Sequence, residues 1–423
     1  MDKSVYDCYV QTLKSELLPA FGCTEPIAVA YAAALARDAL GGIPDKVTIA
    51  VSGNILKNVK GVVVPKTNGL KGVNAAAAAG IIAGVADKKL ECISSVTTEE
   101  IARIQRYLKT AEFRIAPSDS GCIFDIVIDA RKGGHSSRVR IVGHHTNVVL
   151  IEKDGTALLK KTVDREDNTY RPDDRLNIAD ILAFADEVDL DDVKEVLERQ
   201  IAYNTAIAEE GLKNDYGARV GKLLLKNFGD NVHNVAKATA AAGSDARMNG
   251  CSMPVVIVSG SGNQGMTASL PVIVFAKELN SPHEALLRAL VVSNLVTVRL
   301  KSRIGRLSAY CGAVSAGCGA AAGVCKLRGG NAEEISRAVV NAIAIDSGMI
   351  CDGAKSSCAA KIASAVEAGL MGMEMALCGH NFLGGDGILV DNVEATIDNV
   401  GDIAQKGMRE TDKTIIDLMI KSP

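Results

Sequence analysis

Tryptophan is absent from the 423 residues, and aromatics amount to only 4%. Core volume must therefore come from Ala, Val, Ile and Leu, with 40 glycines letting backbones approach closely. No CxxC pair occurs, which argues against a thioredoxin-type site or a zinc ribbon. Positive charge is not in excess: the net charge is -3, so no basic field invites nucleic acid. The opening stretch, MDKSVYDCYVQTLKSELL, has no signal-peptide apolar run. The eleven cysteines are an odd number without the spacing of a disulfide framework, so reduced thiols in the cytoplasm are expected. Two long uncharged runs, 308–325 and 248–275, lack the sustained Leu, Ile and Phe content of a spanning helix. The first is mostly Gly, Ala and Ser, and the second is broken by Pro254, Gly260, Gly262, Asn263 and Pro271. No membrane segment is expected.

What is present is ordinary in bulk, 48% apolar and 23% charged, with enough length for two or three domains. Residues 4–18 have helical periodicity up to Pro19, and a second helix should follow FGCTEP (21–26) with Thr24 as its cap. Lys46–Val51 reads as a strand, Asn74 to Ala86 as an alanine helix, and Thr97-x-x-Glu100 as a capping box. Strands at 123–130, 136–142, 147–153 and 156–160, joined by Gly-rich turns, predict a small antiparallel sheet. The acidic stretch 162–175 reads as a domain boundary, and nearly everything from Asn177 onward as helix. The fold expected is α+β overall. An α+β domain, 1–165, with a small antiparallel sheet precedes an all-α helical catalytic domain, 166–423.

Five cysteines fall between Ser308 and Lys361: Cys311, Cys318, Cys325, Cys351 and Cys358. Small residues surround them, which suits tight helix packing or a compact inorganic cofactor. Thiolates are soft ligands for iron, and ligands remote in sequence meet when a loop and two helices bring them together. Cys351 lies beside the Asp352-Gly353 turn signal, and Cys358 should open a helix whose dipole favours its thiolate. Buried cysteine is also a common small hydrophobe. The residues alone do not choose among Cys311, Cys318 and Cys325, rungs of one seven-residue ladder.

Cys23 precedes a helix start, where a thiol is expected to be acidic and accessible, as a base, nucleophile or ligand. The turn Ser259-Gly-Ser-Gly-Asn-Gln-Gly265 lies between an apolar run and a helix and lacks the GK[ST] ending of a P-loop. Converging N–H groups there suit a substrate carboxylate. Ser259, Ser261, Gly262, Asn263 and Gln264 are the binding candidates, with Asn54 and Lys355 as further ones. His144 and His145 are adjacent, so at most one faces a given pocket, and both read best as surface or structural, as does His380.

With these residues in view, the chain resembles the L-cysteine desulfidase family, whose members share a helical domain with the alpha part of bacterial iron–sulfur L-serine dehydratases. The resemblance spans essentially the whole chain. It is carried by FGCTEP around Cys23, SGSGNQG at 259–265, AYCGA around Cys311 and MICDGAKSSC from Cys351 to Cys358. It implies an oxygen-labile 4Fe-4S cluster on Cys311, Cys351 and Cys358 and no pyridoxal phosphate. It also implies β-elimination of L-cysteine to sulfide, ammonia and pyruvate, for which Cys23 is the candidate catalytic base. Dehydratases of this type can place a tail cysteine on the open iron. Here the tail is DLMIKSP and the last cysteine is Cys378, which weakens a straight L-serine dehydratase assignment. That dehydratase is the alternative within the same chemistry. A non-catalytic iron–sulfur or thiol redox sensor is the alternative of another class. The partner expected is a small amino acid, with no nucleic acid and no membrane, and room is left for a homo-oligomer.

Overall fold

The computed structural model describes residues 1–118, 120–163, 175–305 and 307–421. Most of the expected boundary stretch, 164–174, lies outside them. The first helix, α1 (Lys3–Glu16), begins where the Asp2 side chain accepts from Ser4 N. After β1 (Pro19–Phe21) comes α2 (Thr24–Leu40). Its N-cap is Cys23, not the expected Thr24, whose hydroxyl is engaged with Glu25 Oε2 and Gly260 O. Then follow β2 (Lys46–Val51), α3 (Gly53–Lys60), α4 (Val73–Ala83) and α5 (Thr98–Thr110), the last opened by the full Thr97–Glu100 capping box.

Five strands follow: β3 (Glu112–Pro117), β4 (Asp125–Lys132), β5 (His135–Val142), β6 (Val148–Lys153) and β7 (Thr156–Lys160). The expected antiparallel meander is β4 to β7. The sheet is larger than expected. Its order is β3-β2-β4-β5-β6-β7, with β3 parallel to β2. The alanine-rich α2 and α4 pack with it, sharing a core with Ile49, Ile126, Ile128 and Val139.

The remainder is helical: α6 (Ile178–Glu187), α7 (Lys194–Lys213), α8 (Val220–Phe228) and α9 (Val232–Met248). A three-residue strand, β8 (Pro254–Val256), pairs antiparallel with β1, so the helical part is not strictly all-α. Beyond it lie α10 (Gly262–Glu278), α11 (His283–Ile304), α12 (Gly312–Leu327), α13 (Ala332–Asp346) and α14 (Cys358–Leu377). The expected last helix is two, α15 (Val393–Asp402) and α16 (Arg409–Lys421), joined by a π turn. Among the described residues no helix is long and apolar enough to cross a membrane.

The ends of the chain cross over. Tyr9 and Leu13 of α1 and its C-cap Leu17 are buried in the helical core with Phe184, while α16 reaches back to α3 through Lys57–Asp412 (2.6 Å) and Lys60 Nζ to Met419 O (2.6 Å).

Small residues govern the helix crossing that sets up the site. A Cβ on Gly317 of α12 would sit 2.4 Å from Ala365 O of α14, and one on Gly369 would sit 2.4 Å from Gly317 O. Backbone touches backbone there, so neither helix has a flexible side chain to move aside. Gly317→Ala is expected to lower stability by about 1–3 kcal/mol. Urea unfolding should show the loss, and an unchanged midpoint would mean the crossing is looser than described.

Candidate functional site

Four helices aim their N-termini at one cavity of about 110 Å³. They are α2 with Cys23 as N-cap, α10 with Ser261 as N-cap, α12 with Cys311 as N-cap, and α14, whose first residue is Cys358. Each end presents unbonded N–H groups and a partial positive charge. Lys57, Arg247, Lys301 and Lys361 also line the cavity, with Glu25 the one carboxylate among its described residues.

The cysteines meet through a small antiparallel bridge, Tyr310 to Ile350. Cys311 N donates to Met349 O (3.1 Å) and Cys351 N to Ala309 O (2.6 Å), which closes a gap of forty residues in sequence. This extended pairing also explains why α12 starts at Gly312 and not at 308 as expected. The Cys351 loop is pinned by Gly353, whose φ of 95° and close approach to Lys57 O exclude a side chain. Lys361 Nζ holds the same loop at Ile350 O (2.7 Å) and Asp352 Oδ1 (2.5 Å).

Cys311, Cys351 and Cys358 all line the cavity. The Cys311 thiol donates to Cys351, which pushes Cys311 up and Cys351 down; Lys57 and Lys301 favour the thiolate on Cys351. Cys358 was expected to be the acidic thiol of the set, but burial pushes it up. Cys318 and Cys325 sit deeper along α12 in the helical core, away from the cavity. Of the three rungs, Cys311 is the one that lines the cavity. Among the described residues no group of three His, Cys, Asp or Glu side chains is arranged to hold a single metal ion.

Glu25 is the hub of another part of the wall. Its carboxylate accepts from Asn58 Nδ2 (3.1 Å), Cys23 Sγ (3.3 Å) and Thr24 Oγ1 (3.0 Å), with His145 Nε2 at 3.9 Å. Burial alone would raise the Glu25 carboxyl; His145 and then Arg247 outweigh it and hold the group at about 2. Cys23 behaves opposite to expectation. Burial first and the Glu25 charge second push its thiol up, outweighing Arg247. The helix N-terminus does not make it acidic in the resting cavity.

The Gly-rich turn forms the third side. Ser259 adopts φ 48°, a strained value for a non-glycine residue. Arg247, 2% exposed, runs beneath the turn, donating from Nε to Gly22 O and from Nη1 to Asn263 Oδ1, both 3.1 Å. Among the described residues no carboxylate forms an ion pair with it. Gln264 lines the cavity, and its Oε1 is buried without a hydrogen-bond partner. Glycines 260, 262 and 265 have the G-x-G-x-x-G spacing of dinucleotide folds. Here β8 belongs to a two-stranded antiparallel sheet, so the parallel βαβ context that reading needs is missing.

The structure thus brings together Cys23, Ser259, Ser261, Asn263, Gln264, Cys311, Cys351 and Cys358. Gly262 lies just behind them, packed on Arg247 and Val255. Asn54 and Lys355 are not on this wall. Asn54 lines a neighbouring cavity of about 710 Å³, and Lys355 pairs with Asp352. Lys361 lines the cavity with the cysteines, while Lys355 lies outside the lining but still favours the Cys358 thiolate. His144 is exposed and His145 is buried on the cavity wall, so the pair divides as adjacent residues should, though His145 is no surface residue. Sequence reasoning missed Glu25, Lys57, Arg247 and Lys301. Only Glu25, beside Cys23, carried a local signal.

Residues 87–417 match the family described as serine dehydratase alpha chain. Curated relatives match along nearly their whole length. A UPF0597 protein of Desulfitobacterium hafniense (strain Y51) is 54% identical, covering 98% of this chain and 97% of that protein. One from Lachnoclostridium phytofermentans is 51% identical, covering 98% and 100%, and one from Treponema denticola is 45% identical, covering 100% and 99%.

Proposed function

The chain belongs to the serine dehydratase alpha chain family, and from that premise we propose that it is a cytoplasmic carbon–sulfur lyase, an L-cysteine desulfidase that depends on a 4Fe-4S cluster. The observation that carries this reading is the meeting of Cys311, Cys351 and Cys358, remote in sequence, in one cation-rich cavity. Residues 166–423 are assigned as the catalytic domain, and residues 1–165 as an α+β domain that contributes Cys23, Glu25, Lys57 and His145.

The donor set fits such a cluster in kind. Three thiols supply soft ligands, and Lys57, Lys301 and Lys361 offset the negative charge that thiolates bring. A cube differs from a single ion, because each thiolate takes its own iron and the sulfurs need not converge on one point. The reading is therefore compatible with the lack of a three-donor single-ion site. Cys311, Cys351 and Cys358 would hold the cluster. When bound, it supplies an iron with an open position, a Lewis acid that makes the β-substituent a better leaving group.

The protein's own groups do the rest. Arg247 and Asn263, with the N–H groups opening α10, receive the substrate carboxylate. Cys23 is the proton carrier. Its Sγ–H rests on Glu25, and once that proton has been lost to solvent water the thiolate takes the α-proton. Loss of the α-proton and the β-substituent gives aminoacrylate, which tautomerises and hydrolyses to pyruvate and ammonia. No pyridoxal phosphate is needed.

The family's own description favours a second reading, L-serine dehydration, in which hydroxide leaves. Anaerobic assays with both substrates decide between them. The proposal expects sulfide and pyruvate in equal amounts from L-cysteine, and a higher kcat/KM for it than for L-serine. Pyruvate from L-serine alone would hand the site to the dehydratase reading.

A further inference from the structure

We propose that Glu25 is the residue that receives the substrate's α-ammonium group and so restricts the cavity to α-amino acids. This rests on the reading of the site as one for a small amino acid, and it adds the group that tells an amino acid from its hydroxy, keto or deaminated analogue.

The cavity has two poles. Glu25, 8% exposed, is its one carboxylate among the described residues. It is surrounded by donors that carry no full charge: the Asn58 amide, the Thr24 hydroxyl and the Cys23 thiol. His145 makes only a long contact with it, an ion pair at 3.9 Å when the ring is protonated. Arg247 is held by a carbonyl and an amide oxygen, and among the described residues no carboxylate forms an ion pair with it. The Thr24 hydroxyl lies 3.0 Å from both Glu25 Oε2 and Gly260 O, so it ties the acidic pole to the Gly-rich turn. The other cations of the cavity are placed toward the cysteines: Lys57 and Lys301 near Cys351, Lys361 near Cys311 and Cys351.

Glu25 and Arg247 are thus buried around a cavity of about 110 Å³ without pairing to each other, the nearest charged neighbour of Glu25 being His145 at 3.9 Å. Burying such ions is costly unless a partner of matching charge arrives. An α-amino acid supplies both partners at once, its carboxylate for Arg247 and its ammonium for Glu25. Gln264 Oε1, buried, is a second acceptor on the same cavity and has no donor among the described residues. A 2-hydroxy or deaminated acid would satisfy Arg247 and leave Glu25 buried beside a neutral group. Such sites discriminate strongly because the unmatched polar group is left in place.

The test uses ligands that cannot undergo elimination, L-alanine and propionate, which differ by the ammonium group. Binding to the anaerobically prepared protein is measured by calorimetry or by competition with L-cysteine turnover. Wild type is expected to prefer L-alanine by roughly 10- to 100-fold. Glu25→Gln should bring the two within about threefold by weakening L-alanine alone, with propionate binding held or improved. Glu25→Asp, which keeps the charge, should keep the preference. Propionate binding also reports whether a variant is folded. Wild type without a preference for L-alanine, or a preference that survives in Glu25→Gln, overturns the proposal. So does loss of the preference in folded Glu25→Asp. Because no bond is broken, this result stands apart from the lyase assignment. L-alanine preference without sulfide release would sink the desulfidase reading alone, and sulfide release with the preference intact in Glu25→Gln would sink this one alone.

Discussion

Cys351→Ser protein, prepared without oxygen, is expected to lose most of its iron and to release sulfide from L-cysteine about 1,000-fold more slowly, some 4 kcal/mol of barrier. Cys351 carries this effect because it is the most acidic thiol of the three, favoured by its contact with Cys311 and by Lys57 and Lys301. A serine hydroxyl does not ionise in that range and is a hard donor, so the iron it would hold is bound weakly. The contrast that makes the result specific is Cys318→Ser. Cys318 is 1% exposed, on the same helix as Cys311 but inside the helical core, so its replacement should cost stability and leave iron content unchanged. Iron counting and turnover on the two variants side by side check this. Equal iron in both, or equal loss, would contradict the assignment of ligands.

The second large effect is Cys23→Ala. This variant is expected to keep its iron and lose turnover by about 10²- to 10⁴-fold, the range for removal of a group that transfers a proton in the transition state. The thiol is buried beside Glu25, to which it donates, and is held protonated at rest, so the base form is scarce. Wild-type kcat/KM should consequently rise with pH, since a raised thiol ionises only as pH climbs, whereas the residual activity of Cys23→Ala should not follow that limb. Full turnover in an iron-replete Cys23→Ala protein would remove Cys23 from the chemistry.

The elements with a strong local period were legible in the sequence. Helix α1, the capping box of α5 and the meander β4 to β7 all follow from patterning and turn chemistry. Strand β3 was not, because its partner β2 lies more than sixty residues earlier and a parallel pair leaves no turn between its strands. The same limit applies to the site. Cys351 and Cys358 were visible as a motif, but the choice of Cys311 over Cys318 depends on the Tyr310–Ile350 bridge, a contact across forty residues. Arg247 ends the alanine-rich α9 and looks like any basic residue in a last turn; only the packing of Gly262 against it reveals a buried guanidinium. The expected acidity of Cys23 and Cys358 failed for one reason. A helix N-terminus favours a thiolate only while solvent or a cation shares the charge, and burial removes the solvent.

Iron and acid-labile sulfide counted on protein prepared wholly without oxygen, with free thiols titrated in the same sample, address the ligand set directly. The expected result is about four irons and about four sulfides per chain, with three of the eleven cysteines protected until the metal is removed. A protein that holds no iron after anaerobic reconstitution, with all its cysteines titrating and elimination activity intact, would contradict the account.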